Sequence, residues 1–204
     1  MQHQRRGLKV QLSVMEKILV EDKDFDLADF TIEPLVLGDY EKCRFINCNF
    51  SNSDLSGFHF QDCEFTGCNL GMSKLVKTAF RNVSFKDSKL LGLQFDACNE
   101  FLLEMKFDNC ILNFSSFTGL KLKKTNFNHC QLQQVDFSGT DLTASVFDNC
   151  DLADATFESS ILEQADLRTA YNYSIDPSSN KIKKAKFSLL GLAGLLGKYE
   201  IEIE

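Results

Sequence analysis

Across residues 125–167 an apolar residue returns at every fifth position: Phe127, Leu132, Phe137, Leu142, Phe147, Leu152, Phe157, Leu162 and Leu167. Two places before each stands a small or apolar residue: Thr125, Cys130, Val135, Thr140, Ser145, Cys150, Ala155, Ser160 and Ala165. A period of five fits neither the 3.6 of an α-helix nor the 2 of a flat strand. The chain must therefore turn a corner in every period. If each five-residue unit forms one side and one corner of a square, four units bring the chain back above its start. The next coil then lies about 4.8 Å higher by β-type pairing. This predicts columns: Phe107, Phe127 and Phe147 stack, as do Cys110, Cys130 and Cys150. The strict alternation of Phe and Leu after Phe107 puts Phe on two opposite sides and Leu on the other two.

The same period runs through most of the chain. It starts raggedly at Phe25, Phe30, Leu35 and Tyr40, with Pro34 in a normally polar place, and is regular from Phe45 to Phe95. From Phe107 it resumes displaced by two, so a two-residue insertion is expected within residues 96–106. Before it, Val10, Leu12 and Val14 alternate and are followed by Ile18 and Val20. One or two short strands are expected there, in an N-terminal extension over residues 1–22. After residue 170 the period fades into turn formers (Asn172, Asp176, Pro177, Ser178, Ser179 and Asn180) and returns at Ile182 and Phe187. A short helix is expected from Ser188, stopped by Gly197, and the alternation of Tyr199, Ile201 and Ile203 with glutamates predicts a final strand. The chain thus divides into 1–22, a repeat body over 23–170, and a terminal segment 171–204. Leu189, Leu192, Leu195, Leu196 and Tyr199 are candidates to cap the last coil or to join two copies there.

The unit small-(Asp/Asn)-(Leu/Phe)-x-x, as in Ser53-Asp54-Leu55, Cys68-Asn69-Leu70, Thr140-Asp141-Leu142, Cys150-Asp151-Leu152 and Ala165-Asp166-Leu167, resembles the pentapeptide-repeat family. Roughly 28 units in tandem over residues 23–169 carry the resemblance. It implies an all-β fold, a right-handed quadrilateral β-helix of about seven to eight coils. The best-known members of that family are dimeric, acidic rods that mimic duplex DNA, bind DNA gyrase or topoisomerase IV and blunt quinolone action. The resemblance therefore names a type II topoisomerase as a candidate partner. The alternative it leaves open is a structural or regulatory scaffold with some other partner.

Nineteen Phe against no Trp and two Pro agree with one aromatic reused at equivalent positions. A net charge of -7 excludes a generic nucleic-acid binder, which needs a basic footprint for the phosphates. The charge is also polarised. Residues 69–124 hold nine basic and five acidic side chains, whereas residues 125–167 hold eight carboxylates and no Lys or Arg. Those eight, Asp136, Asp141, Asp148, Asp151, Asp154, Glu158, Glu163 and Asp166, are the candidate partner-binding residues. The eight cysteines fall at or near the small inward position, which reads as structural thiols. No C-x-x-C or His spacing suggests a metal, and no nucleophile elbow or phosphate loop suggests catalysis or a cofactor. No secretion signal is read at the start, and the weakly polar run 187–196 is about half a membrane span. A cytoplasmic binding protein is expected.

Overall fold

The computed structural model describes residues 17–202. The chain winds as a square coil whose successive turns pair in parallel. One side is a four-stranded ladder of β1 (Ile18–Glu21), β3 (Gly38–Glu41), β5 (His59–Gln61) and β7 (Ala79–Arg81). A second side is a seven-stranded ladder of β2 (Asp24–Asp26), β4 (Arg44–Ile46), β6 (Glu64–Thr66), β8 (Val83–Lys86), β9 (Met105–Asp108), β10 (Asn126–Asn128) and β11 (Val146–Asp148). Pairs such as Phe45↔Phe65 and Phe127↔Phe147 realise the twenty-residue coil. The remaining sides are held by single parallel bridges, for example Asn49↔Asn69↔Lys89 and Ser116↔Asp136↔Thr156.

The corners explain why the strands are so short. The residue two past most inward centres takes a left-handed backbone, as at Asn47 (φ 52°), Asn109 (φ 52°), Gly139 (φ 67°) and Asp154 (φ 57°). Asn, Asp and Gly tolerate that region best. At corners such as Gly139 and Asp154 the next N–H donates back to the carbonyl of the centre, as Thr140 N does to Phe137 O at 3.0 Å and Ala155 N to Leu152 O at 3.1 Å, and closes the turn.

Inside the square the side chains form the expected columns. Phe107, Phe127 and Phe147 stack with ring centroids 5.1 and 5.0 Å apart. The opposite column of Phe95, Phe117, Phe137 and Phe157 stacks at 4.6, 5.3 and 5.2 Å. The two columns meet edge to face across the interior, as Phe117 and Phe127 do at 6.0 Å, the arrangement that the ring quadrupoles favour. All eight cysteines are buried and free. Cys68 Sγ donates to Phe45 O at 3.2 Å and Cys150 Sγ to Phe127 O at 3.2 Å, each reaching 23 residues back to the coil below. Burial pushes the Cys63 and Cys68 thiols up to about 12, so they remain protonated.

The insertion falls where the displaced period places it. Phe85 pairs with Phe107, two residues more than one coil, after a 3-10 turn at Phe95–Ala97. The four-stranded ladder ends at β7, and Phe101 and Leu102 stand exposed beside it. The Arg81 guanidinium lies 5.4 Å from the Phe101 ring.

The ends differ more from expectation. Ile18 and Val20 do lie in a strand, β1, while Val10, Leu12 and Val14 fall outside the described residues. The helix expected from Ser188 is instead two short 3-10 helices, Leu192–Leu195 and Gly197–Tyr199. Gly191 and Gly194 press so tightly on Tyr173 that the segment follows that ring; a Cβ at Gly194 would lie 2.2 Å from Tyr173 O. Tyr199 ends in a 3-10 turn and residues 201–202 are not in a strand, so the expected terminal strand is absent over the described residues. An alternating sequence becomes a strand only where it pairs, and no bridge among the described residues involves 199–202.

Candidate partner-binding surface

The eight carboxylates of residues 125–167 do not share one face. Four of them sit one place before an inward centre, and each belongs to a different bridge ladder. Asp151 aligns with Gln131 and Tyr171, Asp136 with Ser116 and Thr156, Asp141 with Lys121 and Ile161, and Asp166 with Val146 and Lys186. The other four follow their centres on the same sides. Asp148 joins the Asp166 side, Glu158 the Asp136 side and Glu163 the Asp141 side, while Asp154 takes the corner after Asp151. Negative charge therefore encircles the rod, about two carboxylates to a side. The twenty-residue coil makes this readable in the sequence, because positions 136, 141, 151 and 166 differ by multiples of five but never of twenty.

Part of this acidity serves the coil itself. Asp136 Oδ1 accepts from Ser138 N at 2.8 Å, Asp141 from Thr143 N at 3.1 Å and Asp151 from Ala153 N at 3.2 Å. Each carboxylate thus satisfies an N–H of the following turn. Asp151 also accepts from Gln133 Nε2 at 2.7 Å and Asn172 Nδ2 at 2.8 Å, linking three successive coils. Partial burial opposes ionisation at Asp136, Asp141 and Asp151, but these hydrogen bonds outweigh it and hold all three below the usual carboxylate range. The hydrogen bonds and charge of Arg168 bring Asp166 down to about 2.

Two of the eight carboxylates are ion-paired: Asp141 with Lys123 at 3.2 Å, and Asp166 with Arg168 at 2.7 Å and Lys186 at 3.6 Å. Asp136, Asp148, Asp151, Asp154, Glu158 and Glu163 have no ion pair among the described residues. Of these, Asp154 and Glu158 are the most exposed. Both point to solvent without a turn to cap.

A family model described as a pentapeptide repeat region matches residues 39–100 and 93–167, more than half of the chain. The chain belongs to the pentapeptide-repeat family. No curated relative matches it. Solved structures that it resembles include a trypsin-treated variant of QnrB1, a plasmid-mediated fluoroquinolone resistance protein. That match has 18% identity and a TM-score of 0.44, covering 92% of this chain and 98% of that one. Another is HetL, a pentapeptide repeat protein involved in heterocyst differentiation regulation from the cyanobacterium Nostoc sp. strain PCC 7120. It has 13% identity and a TM-score of 0.47, covering 83% of this chain and 85% of that one.

The C-terminal end of this pentapeptide-repeat protein exposes a cluster of apolar side chains. Leu189 is 87% and Leu190 97% exposed, and Leu192, Leu196, Tyr199 and Ile201 are exposed as well, whereas Leu195 packs partly against the core. A shallow hollow of about 610 Å³ lies among Pro177, Leu192, Leu195, Leu196 and Tyr199. Its rim is fixed by Lys198 Nζ donating to Asp176 Oδ1 at 2.7 Å. Leu190 and Ile201, which the repeat pattern does not mark as cap residues, join Leu189 on this surface, and the Leu189-Leu190 pair in a run punctuated by Gly is the signal for it in the sequence. Among the described residues no helix is long and apolar enough to cross a membrane.

Proposed function

We propose that this protein acts by binding a protein partner with the outer surface of its C-terminal coils, without a catalytic step, cofactor or metal. The carrying observation is the ring of carboxylates over residues 125–167, most of them without an internal ion pair. Duplex DNA also presents negative charge around a narrow rod, so a basic groove built for DNA is the complementary surface. The partner proposed is a type II topoisomerase, DNA gyrase or topoisomerase IV, met in the cytoplasm, and occupation of its DNA groove would modulate quinolone sensitivity. Two copies joined through the apolar C-terminal ends would bring their acidic coils toward the middle of a longer rod.

Purified protein added to gyrase supercoiling and quinolone-cleavage reactions tests the reading. Inhibition is expected at up to tens of micromolar, the range of weak specific encounters. Asp154, Glu158 and Glu163, whose carboxylates make no side-chain hydrogen bond among the described residues, changed together to Lys should abolish it without lowering the melting temperature. Lysine suits the Asp154 corner because Lys124 (φ 60°) and Lys184 (φ 62°) already occupy the same backbone region. Lack of any effect of the unaltered protein removes the topoisomerase reading. A second reading, a scaffold for another partner, is favoured by the turn-capping roles of Asp136, Asp141 and Asp151, which account for part of the acidity by the needs of the coil alone.

A further inference from the structure

The first coil breaks the rule that the later coils obey. On the side centred at Leu55, Leu75, Phe95, Phe117, Phe137 and Phe157, the position two before the centre is small or apolar and points inward: Ser53, Ser73, Leu93, Ser115, Val135 and Ala155. In the first coil that position is Glu33, which is exposed and followed by Pro34. A carboxylate without a partner is too costly to bury there, and proline fixes its own φ and biases Glu33 to extended backbone.

This side therefore leaves the ladder. In the second coil Asn52 N, Leu55 N and Gly57 N donate to Gly71 O, Lys74 O and Val76 O, each at 2.9 Å. In the first, Ile32 N turns back to Asp29 O at 3.3 Å, and the N–H groups of Leu35 and Leu37 find no backbone acceptor among the described residues.

The departure opens a crevice of about 400 Å³ between the first and second coils. Its apolar lining is Phe30, Leu35, Phe50, Leu55 and Phe58. Phe58 occupies a place where the coils above put Thr78, Leu120, Thr140 or Ser160, and it is the one aromatic ring among them. Ser53 also lines the crevice, and its hydroxyl marks the site. At the equivalent inward positions Ser73 Oγ donates to Phe50 O at 2.7 Å, Thr78 Oγ1 to Leu55 O at 2.7 Å and Ser115 Oγ to Leu90 O at 2.9 Å, all in the coil below. The buried Ser53 Oγ has no hydrogen-bond partner among the described residues. The backbone N–H of Asp54, whose counterpart at Lys74 donates to Ser53 O at 2.9 Å, has no acceptor among them either. A largely apolar crevice in the usual size range of ligand pockets, with an unpartnered hydroxyl and N–H beside it, has the composition of a ligand site.

We propose that this crevice binds a small, neutral, flat aromatic molecule carrying one hydrogen-bond acceptor. Leu35 and the accessible edges of Phe30 and Phe58 supply the apolar wall, and the Ser53 hydroxyl, turned from its buried position toward the crevice, donates to the acceptor. The site is independent of the acidic surface and of any topoisomerase.

The test uses the full chain and the neutral naphthyl ketone 6-propionyl-2-(dimethylamino)naphthalene, whose emission shifts to the blue in apolar surroundings. A saturable shift with one site per chain is expected. Ser53→Ala should weaken binding about 2- to 10-fold, the worth of one hydrogen bond, while leaving the melting temperature unchanged because the hydroxyl has no partner to lose. Thr31→Trp, at the exposed rim, should weaken binding by at least about 10-fold. Leu192→Glu, in the distant C-terminal hollow, should leave it intact. The proposal is overturned if the folded chain gives no saturable shift or if Ser53→Ala binds as tightly as the parent. Binding that survives Thr31→Trp but is lost in Leu192→Glu overturns it equally, since the probe would then occupy the C-terminal hollow.

Discussion

Phe127→Ala tests the claim that the aromatic columns hold the rod together. Phe127 is fully buried and has rings on both sides in its column, with stacked neighbours at 5.1 and 5.0 Å and edge-to-face neighbours at 6.0 and 5.9 Å. Phe157, near the C-terminal end, has one stacked ring at 5.2 Å and one edge contact at 6.4 Å. Truncating a buried Phe to Ala costs about 3–5 kcal/mol in general. Each aromatic pair adds about 0.5–1.5 kcal/mol beyond area burial, so the two additional pairs of Phe127 make its loss about 1–3 kcal/mol larger than that of Phe157. Phe127→Ala should therefore lie near 5 kcal/mol and Phe157→Ala near 3 kcal/mol. Urea titration followed by far-ultraviolet circular dichroism measures both, with the slope checked for constancy so that the midpoints can be compared. Equal losses, or a Phe127→Ala loss under about 2 kcal/mol, would refute the columns as the main source of stability.

Two further outcomes follow from the ionisable groups. Arg168 depresses the Asp166 carboxyl to about 2 from an unfolded value of 3.8, so its contribution is present above pH 4 and is lost as the pH falls toward 2. In acid titrations Asp166→Asn should flatten the loss of stability in that window, and an unchanged curve would disprove the coupling. The thiols act in the opposite sense. Cys63 and Cys68 rise from 9.0 to about 12 on burial, so the stability they lend is present below pH 9 and declines as the pH climbs toward 12. At pH 8 the folded thiolate fraction is about a thousandfold below that of a free thiol. Iodoacetamide should accordingly label these cysteines in urea but not in the native protein, as mass spectrometry of tryptic peptides would read.

Much of this organisation is legible in the residues because the interior of the coil is narrow and periodic. A five-residue repeat of Phe and Leu admits one winding, and the two-residue slip before Phe107 locates the insertion with its exposed Phe101 and Leu102. The cysteines are inward for the same reason that Ser and Thr are, namely the size limit at that position. Placement of the carboxylates around the rod is also implicit in their spacing, but the local acidic excess draws the eye to a single patch, and the ladders divide it among four sides. The terminal segment was less readable. Its leucines suit a helix, yet Gly191 and Gly194 let it lie on Tyr173 in 3-10 turns, a choice made by contact rather than propensity.

The sequence by itself determined the square coil, its columns and its polarised charge, because these depend on which residues recur at intervals of five and twenty. Only the tertiary structure decided which polar groups are already satisfied. Ser53 and Ser73 are the same residue at equivalent places in the repeat, and Ser73 donates to a carbonyl while Ser53 has none within reach. That difference depends on the path of the coil below, where an exposed Glu33 and Pro34 turn the chain aside. It is set by the packing of one coil on the next, which the repeat unit alone does not contain.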